Sequence, residues 1–478
     1  MTDFSAIDPA RGIAIIGGGC AGTLVAVQVL RQAAAPVRVR LIERRPPPGP
    51  GIAYATDRNE HRLNVAAGRM SALPGQPSHF YEWARARAGH LGFPDAIAAD
   101  DYLPRWMYGQ YLEQLLVEAR ASARPGVEAE VVLGEAVDIA VSPGGPAVIL
   151  ADGRRLDAAA VVLALGVLPG EYPIRRPLPF YRSARYLHSP LLRTSLAHVA
   201  RGDDLLIVGA GLTAVDLIVQ CSELGSRGTL HALSRHGLRP QPHRPGLPPY
   251  PLFLDKERLP RTARAALQAV RREVGRAAGA GADWRAVIDS LRPVSQDLWR
   301  EFSWEERARF LRHLRPYWEA HRHRLPPQTA AIVARMEAEG RLRFHAGRLV
   351  SLREQGDGAA ALIKVRGREE FLALRVAKVI NCTGPRTDYS KYQHPLLVNL
   401  LAAGLIGHDP LALGLDALPG GEVLRYGGAS PVGWLFTLGA ALKGALWETT
   451  AVAEIRCQAE ALAGRLLGLA ARGREMGK

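Results

Sequence analysis

The amino-acid sequence predicts an α/β protein of two units, each built on a parallel β-sheet, with the second unit inserted in the first. Two observations lead to this fold class. A short apolar strand, a glycine-rich turn and a helix follow one another at residues 12–31 and again at 205–222. Each copy is followed by hairpin-like sequence and then by a buried apolar strand that ends at a glycine. Parallel neighbours need helical crossovers, so this order favours parallel sheets.

The first glycine turn lies between the apolar strand at 12–16 and the helix at 23–31, and a second strand at 37–42 ends on Glu43 and Arg44. Strand, glycine turn, helix, strand and acid together form a complete Rossmann-like dinucleotide fingerprint. The glycines let the backbone approach a pyrophosphate, which the helix start stabilises. Glu43 would accept hydrogen bonds from an adenosine ribose. The residues of this turn are Gly17, Gly18, Gly19, Cys20, Ala21 and Gly22.

The second glycine turn ends in a different chemistry. Its candidate nucleotide contacts are Gly209, Gly211, Leu212 and Thr213, and Ala214 holds the third glycine position. The strand that follows, at 229–233, ends on Ser234 and Arg235 rather than on an acid. A ribose 2′-phosphate needs an arginine and a hydroxyl, so this site is predicted to bind NADPH. The alternative is a solvated strand end that is basic for no functional reason.

Length and composition bound the remaining possibilities. A chain of 478 residues exceeds one ordinary core, and we assign residues 1–198 and 346–478 to the first domain and 199–345 to the second, with a helical arginine-rich insert at about 255–340. The longest apolar stretch, 158–167, is too short to span a membrane, and no signal peptide is evident. Four scattered cysteines suggest neither a metal site nor a redox dithiol and fit the cytoplasm.

The net charge of +15 invites comparison with nucleic-acid-binding proteins. However, the basic residues are dispersed, and no recognition motif accompanies them. We therefore expect a small-molecule substrate, no nucleic-acid partner and no membrane partner, and leave an oligomer open.

Further candidate cofactor contacts lie outside the two turns. Small residues beside Asn64 and Arg69 suit a loop lying against a flat polar ring, although a surface connection fits equally well. The strands that end at Gly166, Gly384 and Gly439 would pass beside the cofactor. The remaining candidates are Val65, Met70 and Val137.

A basic run lies within the second half of the arginine-rich insert. The sequence at 303–306 predicts a capping box, opening a helix that bends near Pro316. The run could hold an anionic substrate or a cofactor phosphate; a solvated face is the alternative. No carboxylate or cysteine partner is spaced for a metal. The residues of the run are His321, Arg322, His323 and Arg324.

Taken together, these motifs resemble the flavin- and NADP-binding proteins related to class B, single-component flavin monooxygenases, which include N-hydroxylating enzymes. The stretches that carry the resemblance are 17–22, 49–54, 63–70, 103–105, 109–112, 209–216, 234–238, 283–285, 318–324, 381–385 and 446–451. One departure is Gly439-Ala440, where such flavoproteins usually carry Gly-Asp.

The resemblance implies FAD and NADPH as cofactors. NADPH would reduce the flavin, which would activate O2 as a C4a-(hydro)peroxide and oxygenate a small nucleophile such as an amine or amino acid. A substrate carboxylate would suit Arg69, Arg105 or the run at 321–324. The alternatives are an NADPH-dependent flavin reductase or oxidase without oxygenation, and a non-enzymatic nucleotide-binding redox sensor.

Overall fold

The computed structural model describes residues 11–93, 96–189, 199–428 and 430–476. The strands, in chain order, are β1 (Ile13–Ile16), β2 (Val37–Glu43), β3 (Val127–Leu133), β4 (Ala136–Ser142), β5 (Gly145–Leu150), β6 (Arg155–Asp157), β7 (Ala160–Leu163), β8 (Tyr186–Leu187), β9 (Leu205–Val208), β10 (Leu230–Ser234), β11 (Leu342–Gln355), β12 (Gly358–Val365), β13 (Phe371–Val376), β14 (Lys378–Asn381), β15 (Glu422–Leu424) and β16 (Pro431–Thr437).

The α-helices are α1 (Cys20–Gln32), α2 (Gly51–Tyr54), α3 (His79–Arg87), α4 (Arg105–Ala121), α5 (Leu212–Glu223), α6 (Ala263–Gly279), α7 (Trp284–Ser290), α8 (Ser295–Glu301), α9 (Trp304–His313), α10 (Arg315–Arg322), α11 (Pro327–Ala338), α12 (Pro395–Ala402), α13 (Lys443–Leu446) and α14 (Val452–Met476). No helix within the described ranges is long and apolar enough to cross a membrane.

The chain divides into two compact units. Unit 1 comprises the described residues within Met1–Ala55, Ala66–Leu168 and Thr387–Lys478, and unit 2 those within Thr56–Val65 and Pro169–Arg386. Unit 2 is therefore inserted in the sequence of unit 1, as expected.

The boundaries between the units differ from the expected ones. The second domain was expected to end at residue 345, but β11 continues without interruption to Gln355 and pairs with β12, which pairs with β13. β14 then pairs with β9, in the interior of the same sheet. Hydrogen bonding across the expected boundary thus keeps residues 346–386 in unit 2. The expected boundary at 198 borders 190–198, which lie outside the described residues.

The sheet of unit 1 is a twisted, mostly parallel one. Among the described residues six strands take part, in the order β15-β16-β7-β1-β2-β3, and only the edge strand β15 runs antiparallel to its neighbour. Strands β1 and β7 are buried along their whole length, as their continuous apolar sequences predict. Helix α1 packs against α4 and α14. The hairpins β4-β5-β6 form a separate small sheet.

The sheet of unit 2 repeats this plan. Among the described residues its order is β13-β12-β11-β10-β9-β14-β8, with parallel pairing from β11 to β8 and an antiparallel extension through β12 and β13. Helices α5 and α11 cover one face, where Val215, Ile218 and Met336 join the core. The fold class predicted from the sequence, two Rossmann-like units with one inserted in the other, is confirmed.

The helical insert departs from the prediction in two places. The helix expected from residue 304 is two helices, α9 and α10, because Pro316 cannot continue a helix and instead occupies the first turn of α10. The capping box is only half formed. The Ser303 hydroxyl accepts the Glu306 N–H at 3.4 Å, but the Glu306 carboxylate accepts the Ala263 N–H at 2.9 Å and so caps α6.

Candidate functional site

The first glycine turn is compact because three backbone segments meet there. Gly17 has a φ of +108°, and a Cβ at this position would collide with the carbonyl oxygen of Ala164. The Gly17 N–H donates to the Ile42 carbonyl at 2.9 Å, which ties the turn to β2. A Cβ at Gly22 would collide with the Gly17 carbonyl oxygen. Only glycine therefore lets α1 start this close to the sheet.

Glu43 closes this turn from the end of β2. Its carboxylate accepts the Gly18 N–H at 2.7 Å and the Arg45 N–H at 2.9 Å, one on each oxygen. A carboxylate offers about four lone-pair positions, so both oxygens keep capacity for a further donor such as a ribose hydroxyl.

The start of α1 is suited to an anion. Gly19 precedes the helix and has no side chain that could cap it, and the first turn, Cys20 to Thr23, contains no acid. The N–H groups of this turn and the helix dipole therefore favour a negatively charged ligand. Burial raises the pKa of the Cys20 thiol to about 12, so this side chain stays neutral.

Gly439 lies next to the first glycine turn in the structure. A Cβ at Gly439 would lie 3.7 Å from the Ala21 Cβ. The Gly439 N–H donates to the Gln458 side chain at 2.9 Å, and its carbonyl accepts the Thr449 hydroxyl at 3.1 Å. The structure thus brings the predicted 439 turn to the start of α1, and α14 holds it there.

Three other candidates of unit 1 have partners of their own. The Gly166 carbonyl accepts the Tyr389 hydroxyl at 3.1 Å. Arg44 forms an ion pair with Glu135, its Nη1 lying 3.1 Å from Oε1. Val137 lies at a bulge in β4, between the paired residues on either side, and its carbonyl accepts the Asn399 amide at 3.0 Å.

Arg69 and Met70 follow one another in unit 1 but differ in exposure, since Arg69 is exposed and Met70 is buried. Arg105 begins α4 and acts electrostatically on the Tyr54 hydroxyl, as does Cys20. Tyr54 and Arg105 therefore lie near Cys20 at the start of α1.

An aromatic cluster in this region was not predicted from the sequence. The rings of Tyr54 and Tyr108 lie 4.8 Å apart, and Phe80 meets Tyr108 edge-on at 5.0 Å. The Tyr108 hydroxyl is fully buried and has no hydrogen-bond partner among the described residues. Burial and the nearby Cys20 raise its pKa. The spacing of Tyr108 and Tyr111 on α4 was the available signal, but it indicates core packing equally well.

Three predicted flavin contacts belong to unit 2 instead. They are Asn64, Val65 and Gly384. The Asn64 carbonyl accepts the His243 Nε2–H at 3.0 Å. The Gly384 carbonyl lies close to Gly170: a Cβ at Gly170 would be 2.6 Å from the Gly384 oxygen. Asn64 and Val65 lie in a different unit from residues 17–22 because the segment 56–65 packs with unit 2, and Gly384 does so because it follows β14, which pairs with β9.

The second glycine turn repeats the geometry of the first at its beginning. Gly209 has a φ of +129°, and a Cβ there would collide with the Cys382 carbonyl oxygen. Its N–H donates to the Leu233 carbonyl at 2.7 Å. Gly211 precedes α5, which begins with Leu212 and Thr213, and a Cβ at Gly211 would meet no described atom within 4 Å. The turn is therefore open on the side from which a ligand would approach.

The strand end beside this turn is a basic cluster that extends beyond the predicted residues. Arg366 Nη1 donates to the Arg235 carbonyl at 3.2 Å and to His236 Nδ1 at 2.5 Å. Burial and the neighbouring arginines, Arg366 first, lower the pKa of His236. Ser234 lies at the end of β10, with its hydroxyl 3.5 Å from the Leu238 carbonyl. Arg366 lies in the turn between β12 and β13, so no local pattern in the sequence could have indicated it.

The basic run at 321–324 is divided between surface and interior. Arg324 is only 3% exposed and pairs with Asp289 of α7, so the solvated-face interpretation is wrong for this residue. His321 is half-buried, donates through Nδ1 to the Tyr317 carbonyl at 2.7 Å and lies edge-on to Trp284. Arg322 and His323 end the same helix and are half-buried.

The family comparison matches residues 14–168 to a model described as FAD-NAD(P)-binding. This segment covers the first glycine turn, Glu43 and the strand ending before Gly166. The predicted resemblance to N-hydroxylating proteins agrees with the similarities that follow, two to curated proteins and two to solved structures.

Two curated relatives match part of the chain. An L-aspartate N-monooxygenase (nitrosuccinate-forming) of Streptomyces cremeus is 33% identical over 198 residues, which are 37% of this chain and 29% of that protein. The nitrosuccinic acid synthase of Aspergillus oryzae is 30% identical over 176 residues, 33% of this chain and 26% of that protein. The matches thus span under a third of each relative's length.

Solved structures of similar fold cover nearly the whole chain. The reduced ornithine hydroxylase of Pseudomonas aeruginosa has a TM-score of 0.62 at 15% identity, covering 96% of this chain and 99% of that one. The L-lysine 6-monooxygenase of Pseudomonas syringae has a TM-score of 0.61 at 15% identity, with the same coverage. At this identity the similarity establishes the fold of both units.

Proposed function

We propose that this protein is an FAD- and NADPH-dependent monooxygenase that oxygenates the amine nitrogen of a small amino acid. The observation that carries the proposal is the contrast between the two strand ends: a carboxylate, Glu43, follows the first glycine turn and a basic cluster at 234–236 follows the second. This contrast supports two different nucleotides, one with a free ribose and one with a 2′-phosphate. The partial similarity to an aspartate N-monooxygenase supports the reaction type.

The residues of unit 1 fit the dinucleotide part of FAD. The uncapped start of α1 would hold the pyrophosphate, and Glu43 would accept hydrogen bonds from the adenosine ribose. Gly439 lies beside Ala21 at the start of the same helix, and the absence of a side chain leaves room for a ligand. When bound, FAD accepts a hydride from NADPH and, once reduced, activates O2.

The residues of unit 2 fit NADPH. The start of α5 has no acid in its first turn and an open approach at Gly211, which suits a pyrophosphate. Arg235 and Arg366 offer guanidinium groups for a 2′-phosphate, with the Ser234 hydroxyl nearby. His236 accepts a hydrogen bond from Arg366 and so orients that guanidinium.

Purification of the protein followed by turnover under ¹⁸O₂ tests this proposal. We expect a yellow protein that consumes NADPH faster in the presence of an amino acid and incorporates one labelled oxygen atom into its amine, measured by mass spectrometry. NADPH consumption that ends entirely in hydrogen peroxide, whatever amine is supplied, would contradict oxygenation and favour a reductase or oxidase. A protein that binds no flavin would contradict both enzymatic interpretations.

A further inference from the structure

The turn that follows β16 in unit 1 is held by a closed ring of three hydrogen bonds. The Gly439 N–H donates to Gln458 Oε1 at 2.9 Å. Gln458 Nε2 donates to the Thr449 hydroxyl oxygen at 2.6 Å, and the Thr449 hydroxyl donates to the Gly439 carbonyl at 3.1 Å. Each of the three residues therefore donates once and accepts once within the ring, and both backbone polar groups of Gly439 have a side-chain partner.

The direction of these bonds requires an amide at position 458. A glutamine side chain carries an acceptor oxygen and a donor nitrogen, whereas a threonine hydroxyl has one proton to donate. Turning the amide over would place its NH₂ group against the Gly439 N–H. A carboxylate at 458 would accept that N–H but could not donate to Thr449. Thr449 is 1% exposed, so a broken ring would leave a buried polar group unpaired, which is unfavourable.

The turn depends on this support because its own sequence restrains it little. Gly439 has a φ of +67°, a conformation that favours glycine, and glycine is also the residue with the most conformational freedom to lose. The next residue, Ala440, has no polar side chain that could bond the turn from within. The ring instead brings in Gln458 from α14 and Thr449 from the segment just before that helix.

The position of the turn matters for the start of α1. A Cβ at Gly439 would lie 3.7 Å from the Ala21 Cβ and 4.0 Å from Ile455 Cγ1. The turn therefore lies between the first residues of α1 and the first turns of α14. A shift of the turn would change the space beside the N–H groups of α1, which under the proposed function hold the pyrophosphate of FAD.

We propose that Gln458 and Thr449 are positioning residues for FAD, which hold the backbone of Gly439 in the geometry that leaves room for the cofactor beside α1. This inference rests on the proposed function. The two side chains act through Gly439 and are not themselves assigned a contact with FAD. A turn that is ordered before the cofactor arrives spares FAD binding the entropy of ordering it, so the ring increases the affinity for FAD.

The test titrates the full chain, freed of flavin by dialysis, with FAD and follows the flavin fluorescence. Gln458→Met keeps the length of the side chain and removes its donor and its acceptor, so FAD should bind about tenfold more weakly. The matched control is Gln32→Met. Gln32 Nε2 donates to the Glu460 carbonyl at 3.2 Å and so also joins α1 to α14, but at the other end of α1. Its loss should change FAD binding less than about twofold.

Two variants at position 449 separate hydrogen bonding from packing. Thr449→Ser keeps the hydroxyl and should bind FAD within about threefold of the unmodified protein, whereas Thr449→Val keeps the shape without the hydroxyl and should bind about tenfold more weakly. If residue 449 only fills buried space, this order reverses, because valine fills that space and serine does not. The reversed order would refute the positioning role.

A ring that only stabilises the fold would act equally on the flavin-free and the FAD-loaded protein. Gln458→Met would then lower both melting temperatures equally and leave the Kd for FAD unchanged, and this result would overturn the inference. A positioning role requires the Kd itself to rise, with the flavin-free protein still folded by circular dichroism.

The same variants distinguish failure of this inference from failure of the proposed function. FAD binding that depends on Gln458 and Thr449, without any oxygenated product, would refute the monooxygenase reaction and leave the positioning role standing. Oxygenation of an amine together with unchanged FAD affinity in Gln458→Met would support the reaction and refute the positioning role. An unmodified protein that binds no FAD would refute both.

Discussion

The two glycine turns share a backbone geometry and differ in the strand that follows them. Gly17 and Gly209 both have positive φ, and a Cβ on either would collide with a carbonyl oxygen of a neighbouring strand end. The next strand ends on Glu43 in unit 1 and on Ser234 and Arg235 in unit 2. Under the proposed function, the turn would fix where a pyrophosphate lies in both units, while the strand end would select between a free ribose and a 2′-phosphate. Nucleotide selectivity would then depend on the strand end and not on the turn.

The turns also differ at their third glycine position. Gly22 approaches the Gly17 carbonyl too closely for a Cβ, whereas unit 2 carries Ala214 there, fully buried and accommodated. The first helix is therefore packed more tightly against its own turn than the second. This difference yields the largest effect that we predict.

Gly22→Ala should destabilise the protein by about 3 kcal/mol or more, because the added methyl group has no room and the turn must shift. The matched variant Ala214→Gly should cost less, about 2 kcal/mol, from the difference in helix propensity and the lost burial of one methyl group. Urea unfolding followed by circular dichroism measures both. Equal losses would contradict the tighter packing of the first turn.

Glu43→Gln should weaken FAD binding about 10- to 100-fold, because one carboxylate oxygen that accepts N–H and ribose donors is replaced by an amide NH₂. Release of flavin during dialysis, followed by fluorescence, gives the affinity. Glu130→Gln on the next strand serves as the control. The Glu130 side chain is mostly exposed, and its contact with Arg40 is weak because the Oε2–Nε distance is 4.0 Å. Unchanged flavin retention in Glu43→Gln would refute the role of the strand end in unit 1.

Arg366→Gln should raise the KM for NADPH about tenfold while leaving the KM for NADH nearly unchanged, because NADH lacks the 2′-phosphate. Arg368→Gln lies in the same turn and removes the same charge, but Arg368 pairs with Glu370 at the surface, and little change is expected. Steady-state kinetics with both nucleotides measure the ratio. Parallel loss with NADPH and NADH would indicate that Arg366 only holds the turn.

The residues chosen for these variants lie partly in local motifs, which the sequence predicts, and partly in contacts between distant elements, which it does not. The glycine turns and the strand ends are local patterns, so the positions of Glu43 and Arg235 at the ends of two strands could be predicted from spacing alone. Arg366 reaches the same cluster from a distant hairpin, and Glu306 caps α6 instead of its own helix. Both contacts depend on how separate elements pack, which no spacing rule describes. The boundary at 345 was wrong for the same reason, since strand pairing decides where a sheet ends.

The smallest predicted effect concerns the histidine held among the cations of unit 2. Burial and Arg324 lower the pKa of His243 to about 4, so the folded protein keeps it neutral while the unfolded chain takes up a proton below about pH 6.5. Its contribution to stability is therefore negligible above pH 6.5 and becomes increasingly unfavourable as the pH falls towards 4.

His243→Gln should remove about 1 kcal/mol of this acid destabilisation, after allowance for solvent screening, in urea unfolding between pH 7 and pH 4.5. The exposed His90→Gln is the control and should retain the slope of the unmodified protein. A slope that His243→Gln leaves unaltered would mean that burial and the neighbouring arginines do not keep this imidazole neutral in the folded protein.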